Sequence, residues 1–157
     1  MGLEHKINFD SMNRIAGVEN LPEGVQGKVK ELIHEAVLTA LGALDAVYAP
    51  LSTDTNIKDY HPEWTYAAEG PVGRLGYNQK DYRAKCGKLH EIKDRLAPFP
   101  TDLQITAGKA IRISIRLAFV RAKREYNIDR YRYLLLHQHD GDYKKDFHDV
   151  DKIGDIF

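Results

Sequence analysis

EGVQGKVKELIHEAVLTALGALDAVY, residues 23–48, carries its apolar side chains at helical spacing. On a wheel of about 100° per residue, Val25, Val29, Leu32, Ile33, Ala36, Val37, Ala40, Leu41, Ala43, Leu44, Val47 and Tyr48 fall on one broad sector. The opposite sector holds Lys28, Glu31, His34, Glu35 and Asp45. Its second half is rich in Ala and Gly, which lets a neighbouring element approach the backbone closely and predicts a central position in the fold. Pro22 and Glu23 suit the positive end of a helix dipole. Pro50 is expected to stop the helix.

Working outward, residues 50–77 contain Pro, late Gly and the aromatics Tyr60, Trp64, Tyr66 and Tyr77 without a sustained period. An irregular but ordered excursion is expected there, with a short strand or hairpin as one form it could take. Asn78 is placed to cap a helix running to about Leu96, with Tyr82, Cys86, Leu89, Ile92 and Leu96 inward and Pro98 and Pro100 beyond its end. Residues 105–126 are ambiguous, because IRISIRL alternates like a half-buried strand between Ile111 and Leu117. The helix formers in LAFVRAKREY favour a helix. Tyr131 to His139 reads as a further helix or a strand, followed by an Asp140-Gly141 turn. The tail can dock Phe147, Val150 and Ile153 as a last amphipathic turn. Upstream of Leu21 the periodicity is weak, with a short helical turn at Asn13–Gly17. No internal repeat stands out. The expected fold is mostly α: a single-domain helical bundle over residues 1–157, with an irregular insertion and minor β content at most.

Composition bounds the function classes. Of 157 residues, 43% are hydrophobic and 29% charged, the profile of a globular chain. Acidic and basic residues balance at 23 each, so attraction to nucleic acid or an anionic membrane needs a local patch. One cysteine, Cys86, excludes an intramolecular disulfide and a thiolate zinc cage within one chain. The N-terminus lacks a signal-peptide pattern, and the longest apolar run, Ala36 to Leu51, is interrupted by Thr39 and Asp45. A soluble, cytoplasmic protein with no membrane partner is expected.

Five features carry the functional reading. Lys109, Arg112, Arg116 and Lys123 fall within about 60° of a helical wheel, a basic helix able to face nucleic acid or an acidic partner. Arg121, Arg124, Arg130 and Arg132 extend it, with Tyr126, Tyr131 and Tyr133 nearby. Tyr60, His61, Glu63, Trp64, Tyr66 and Arg74 supply the aromatic and guanidinium side chains that concentrate binding energy at protein interfaces. His137, His139, Asp140, Asp142, His148 and Asp149 have side chains suited to Zn, Mn or Fe, but no matching ligand pair recurs elsewhere, so a polar, solvated terminus is the simpler explanation. Glu31 and His34 form an ExxH step whose second copy is absent, so solvated surface is the simpler explanation. The Gly70–Gly76 run lacks the Lys-Ser or Lys-Thr pair of a phosphate loop.

Arg132 precedes His137 with four residues between, and Arg130 precedes it with six. In an all-helical chain this spacing resembles the HEPN ribonucleases. The resemblance implies RNA cleavage through the ribose 2′-hydroxyl by Arg and His paired from two subunits.

No paired carboxylates, activated nucleophile or complete metal constellation can be assembled from the residues. The expectation is therefore a small non-enzymatic binding protein acting through protein–protein contacts, in an inhibitor, immunity-type or assembly role, without cofactor or metal. Its interaction residues would be Tyr60, His61, Trp64, Tyr66, Arg74, Lys109, Arg112, Arg116 and Lys123. The alternative is a nucleic-acid-binding protein or HEPN-like ribonuclease using the basic helix and Arg132/His137. Homo-oligomer formation is left open.

Overall fold

The computed structural model describes residues 7–51, 65–66, 76–126 and 150–157. These form α1 (Phe9–Ile15), a 3-10 turn (Val18–Asn20), α2 (Glu23–Leu51), β1 (Thr65–Tyr66), β2 (Gly76–Tyr77), α3 (Gln79–Asp94), α4 (Thr101–Tyr126) and a second 3-10 turn (Val150–Ile156). The architecture is mostly helical, with α2 contacting both α3 and α4. No helix among the described residues is long and apolar enough to cross a membrane.

The Ala-rich half of α2 lies at the centre. Leu32, Ile33, Ala36, Val37, Ala40, Leu41, Ala43, Leu44, Ala46 and Val47 are all buried, and even Thr39 is withdrawn from solvent. Burial this far round the helix needs neighbours on several sides, and small residues permit them. The aliphatic stem of Lys85 on α3 crosses Gly42, and a Cβ there would meet Lys85 Cε at 3.1 Å. Tyr82, Leu89, Ile92 and Leu96 complete the core from the α3 side, with Cys86 half-buried beside them.

Pro50 does not stop α2, which continues to Leu51. A proline removes the amide that would bond the carbonyl four residues earlier. That carbonyl belongs to Ala46, and it accepts instead from the Asn78 backbone N–H at 3.0 Å. The same Asn78 caps α3, its Oδ1 accepting from the Asp81 N–H at 3.0 Å, as its position in the sequence predicts. The lost helical bond thus becomes the joint between α2 and α3. Immediately before the joint, β1 and β2 pair antiparallel in the register Thr65↔Tyr77 and Tyr66↔Gly76. This is a two-residue ladder within the region expected to hold a hairpin. The remainder of the expected insertion, 52–64 and 67–75, lies outside the described residues, as does the expected helix or strand at Tyr131 to His139.

IRISIRL is helical throughout. Its strand-like alternation dissolves on the helix, because Ile113 turns outward while Ser114 turns into the core. Burial of the Ser114 hydroxyl is tolerated because it donates to the Ala110 carbonyl one turn back, at 2.9 Å. The second 3-10 turn docks on α4 with Val150 and Ile153 buried, as the tail's apolar spacing predicts; Phe147 lies outside the described residues. At the other end, α1 is longer than the short turn expected near Asn13. Asn8 Oδ1 accepts from the Ser11 N–H at 3.0 Å, and Gly17 at φ 82° ends the segment in the left-handed conformation that favours glycine.

Candidate functional site

The basic helix is real, but its cations are not equivalent. Lys109 and Arg116 are exposed, whereas Arg112 is half-buried. Arg112 lies where the second 3-10 turn crosses α4, and a Cβ on Gly154 would lie 3.6 Å from Arg112 Cγ. Arg116 is ion-paired with Asp155 from the same turn. Lys123 belongs to α4, though its side chain is outside the described set. The turn therefore covers or neutralises part of the row that the wheel draws as continuous.

The outer face of α4 also carries apolar side chains. Ile105 is 56% exposed, Ile113 38% and Val120 56%. Together with Lys109 and Arg116 they fall within about 80° of the wheel, so the face alternates methyl groups with cations. The sequence has no acidic residue between Leu103 and Arg124. Arg121 and Arg124 are also exposed, so positive charge continues toward the end of the helix. Apolar patches rimmed by charge are a common form of contact surface on soluble proteins.

A second feature lies where α1, α2 and the end of α3 meet. Phe9, Asn13, Lys30, Glu31, His34, Glu35 and Arg95 line a cleft of about 470 Å³. Phe9 and Asn13 are one turn apart on α1; Lys30 and His34, and Glu31 and Glu35, are one turn apart on α2. Arg95 is the C-cap of α3 and ion-pairs with Glu35. The Phe9 and His34 rings meet at a centroid distance of 4.5 Å and an angle of 43°. Asn13 Oδ1 is buried and has no hydrogen-bond partner among the described residues. A smaller cleft of about 240 Å³, lined by Asp10, Asn13, Arg14, Glu19 and Lys30, adjoins it through Asn13 and Lys30.

No family model, curated protein or solved structure matches this chain. The site rests on its own geometry.

Tyr66 contributes backbone to the β1–β2 ladder, while Tyr60, His61, Trp64 and Arg74 lie outside the described residues. So do Arg132, His137 and the C-terminal His/Asp cluster. Among the described residues no group of three or more His, Cys, Asp or Glu side chains is arranged to hold a metal ion. Glu31 and His34, assigned above to solvated surface, are exposed but share the wall of the cleft. Phe9, Asn13, Lys30 and Arg95 carried no sequence signal of function. The one available hint was the helical spacing of Phe9 and Asn13 after a capping Asn8, and the partner elements that complete the cleft are distant in the chain.

Proposed function

We propose that this chain is a non-enzymatic binding protein acting through protein–protein contacts, with the outer face of α4 as its principal docking surface. The observation that carries this reading is the interleaving of Ile105, Ile113 and Val120 with Lys109 on one exposed face, beside the Arg116–Asp155 pair. The complementary partner is a protein segment that presents apolar side chains flanked by carboxylates. Apolar contact supplies affinity, and opposite charge supplies steering and register. Tyr60, His61, Trp64, Tyr66 and Arg74 are the proposed companion contacts. An inhibitor, immunity-type or assembly role fits such a surface, in a soluble cytoplasmic chain.

A nucleic-acid surface would draw most of its affinity from unbroken cations and would gain little from exposed isoleucine and valine. The pairing of Arg116 with Asp155 and the partial burial of Arg112 count against that alternative. Self-association through this face would bring like charges together, so this face is not expected to pair with its own copy.

The test is photo-crosslinking from a reactive side chain placed at Ile113 or Val120. A discrete protein adduct is expected, lost on Lys109→Glu. An adduct to RNA or DNA, with affinity falling steeply as salt rises, would overturn the reading. So would a lack of any adduct from both positions. Trp64→Ala is expected to weaken the complex by more than about 1 kcal/mol if Trp64 anchors it.

A further inference from the structure

The cleft between α1, α2 and the end of α3 is separate from the α4 face and has a chemistry of its own. Its volume, about 470 Å³, lies in the range of small-molecule clefts and exceeds what one side chain needs. Its lining combines an aromatic pair with exposed charges of both signs.

The aromatic pair is Phe9 with His34. Phe9 is half-buried and packs against the core, so its position is held from beneath. His34 is exposed on α2 and leans against the Phe9 ring. A planar ring can lie against this pair and gain contact area with little loss of freedom.

The charges are Lys30 and Glu31. Both are exposed, and neither has an ion-pair partner among the described residues. Glu35 and Arg95, by contrast, satisfy each other. Among the lining's Lys, Arg and Glu side chains, Lys30 and Arg95 balance Glu31 and Glu35. A polyanion such as a nucleoside polyphosphate, or a polycation, finds no electrostatic preference in a balanced lining. A ligand carrying one charge of each sign does.

An ammonium group supplies three hydrogen-bond donors and suits the exposed Glu31 carboxylate.

We propose that this cleft binds a small zwitterion bearing a planar ring, in the class of the aromatic α-amino acids. The ring lies against Phe9 and His34, the ammonium faces Glu31, and the carboxylate faces Lys30. The ion pair of Arg95 with Glu35 lines the same cleft. This assignment does not depend on the α4 docking surface, and either can fail without the other.

The experiment is calorimetric titration of the full chain with L-tryptophan, tryptamine, which lacks the carboxylate, and indole-3-propionate, which lacks the ammonium. L-Tryptophan should bind saturably at micromolar to millimolar concentration, and each truncated probe about fivefold more weakly, the scale of one partly exposed charge contact. Lys30→Gln should weaken L-tryptophan yet leave tryptamine unchanged. Glu31→Gln should weaken L-tryptophan yet leave indole-3-propionate unchanged. A structural role for either residue would shift all three probes together, and both side chains are exposed, so the fold should survive. Absence of saturable L-tryptophan binding overturns the proposal. Equal affinity for the three probes overturns it too, because the site would then read the ring alone.

Discussion

α2 and α4 begin with the same device and then diverge. Leu21-Pro22-Glu23-Gly24-Val25-Gln26 and Phe99-Pro100-Thr101-Asp102-Leu103-Gln104 share one pattern: an apolar residue, Pro, two residues, an apolar residue and Gln. In each, the Gln amide folds back over the helix start. Gln26 Nε2 donates to the Leu21 carbonyl at 2.8 Å and, more weakly, to Glu19 at 3.2 Å. Gln104 Nε2 donates to the Phe99 carbonyl at 2.7 Å and to Ala97 at 3.3 Å. The carbonyl before each proline lies outside the helical ladder and would otherwise depend on water. Beyond this shared start, α2 runs into the centre, and its second half, residues 35–47, has no exposed residue. α4 lies at the surface and keeps one apolar face inward and a basic, partly apolar face outward. In both helices the start is a local matter, set by the same six-residue pattern. What the helix does afterwards depends on which elements cover it.

Substitutions can break or sharpen this contrast. The largest effect is expected from Leu44→Ala in α2, which should lower unfolding free energy by about 2–5 kcal/mol in urea titrations; Ile113→Ala on the outer face of α4 should stay within about 0.5 kcal/mol. Similar losses at the two sites would mean that α4 is covered as fully as α2. Next come Gln26→Ala and Gln104→Ala, each expected to cost about 1 kcal/mol. A large difference between them would show that the two helix starts are alike in geometry but not in energy.

Asp155→Ala should cost at most about 1 kcal/mol, since its pair with Arg116 is solvent-exposed on both sides, and the loss should shrink in high salt. If the 3-10 turn is held by Val150 and Ile153, as their burial indicates, its docking on α4 should persist in that variant. Hydrogen exchange along α4 would report this. The smallest effect is expected from Gly42→Ala. The added methyl meets only the flexible Lys85 stem, while alanine favours the helix by about 1 kcal/mol over glycine, so thermal stability should be nearly unchanged or slightly raised.

Much of the scaffold was legible from local pattern. The wheel of residues 23–48 pointed to a central helix, Asn78 to a cap, and the tail's Val150 and Ile153 to a docked last turn. Each of these signals depends on residues near one another in sequence. The Pro50 expectation failed for a tertiary reason, because Ala46 found its donor in Asn78, and nothing near Pro50 announces that. The alternation in IRISIRL misled for a related reason: a serine can enter the core once its hydroxyl bonds its own helix. The basic row was correct as a wheel and incomplete as a surface, since the 3-10 turn that covers Arg112 and holds Arg116 arrives from the far end of the chain.

By itself the sequence determined the helices at α2 and α3 and the apolar stripe of each, because propensity, capping and periodicity act over a few residues. Tertiary structure alone decided which charges stay available and which polar groups share a cleft. Lys30, Glu31 and His34 look like ordinary solvated helix residues until Phe9, Asn13 and Arg95 are brought beside them. Chain segments distant in sequence meet through packing of their apolar faces, and the polar side chains at the edges of that packing acquire their neighbours as a consequence.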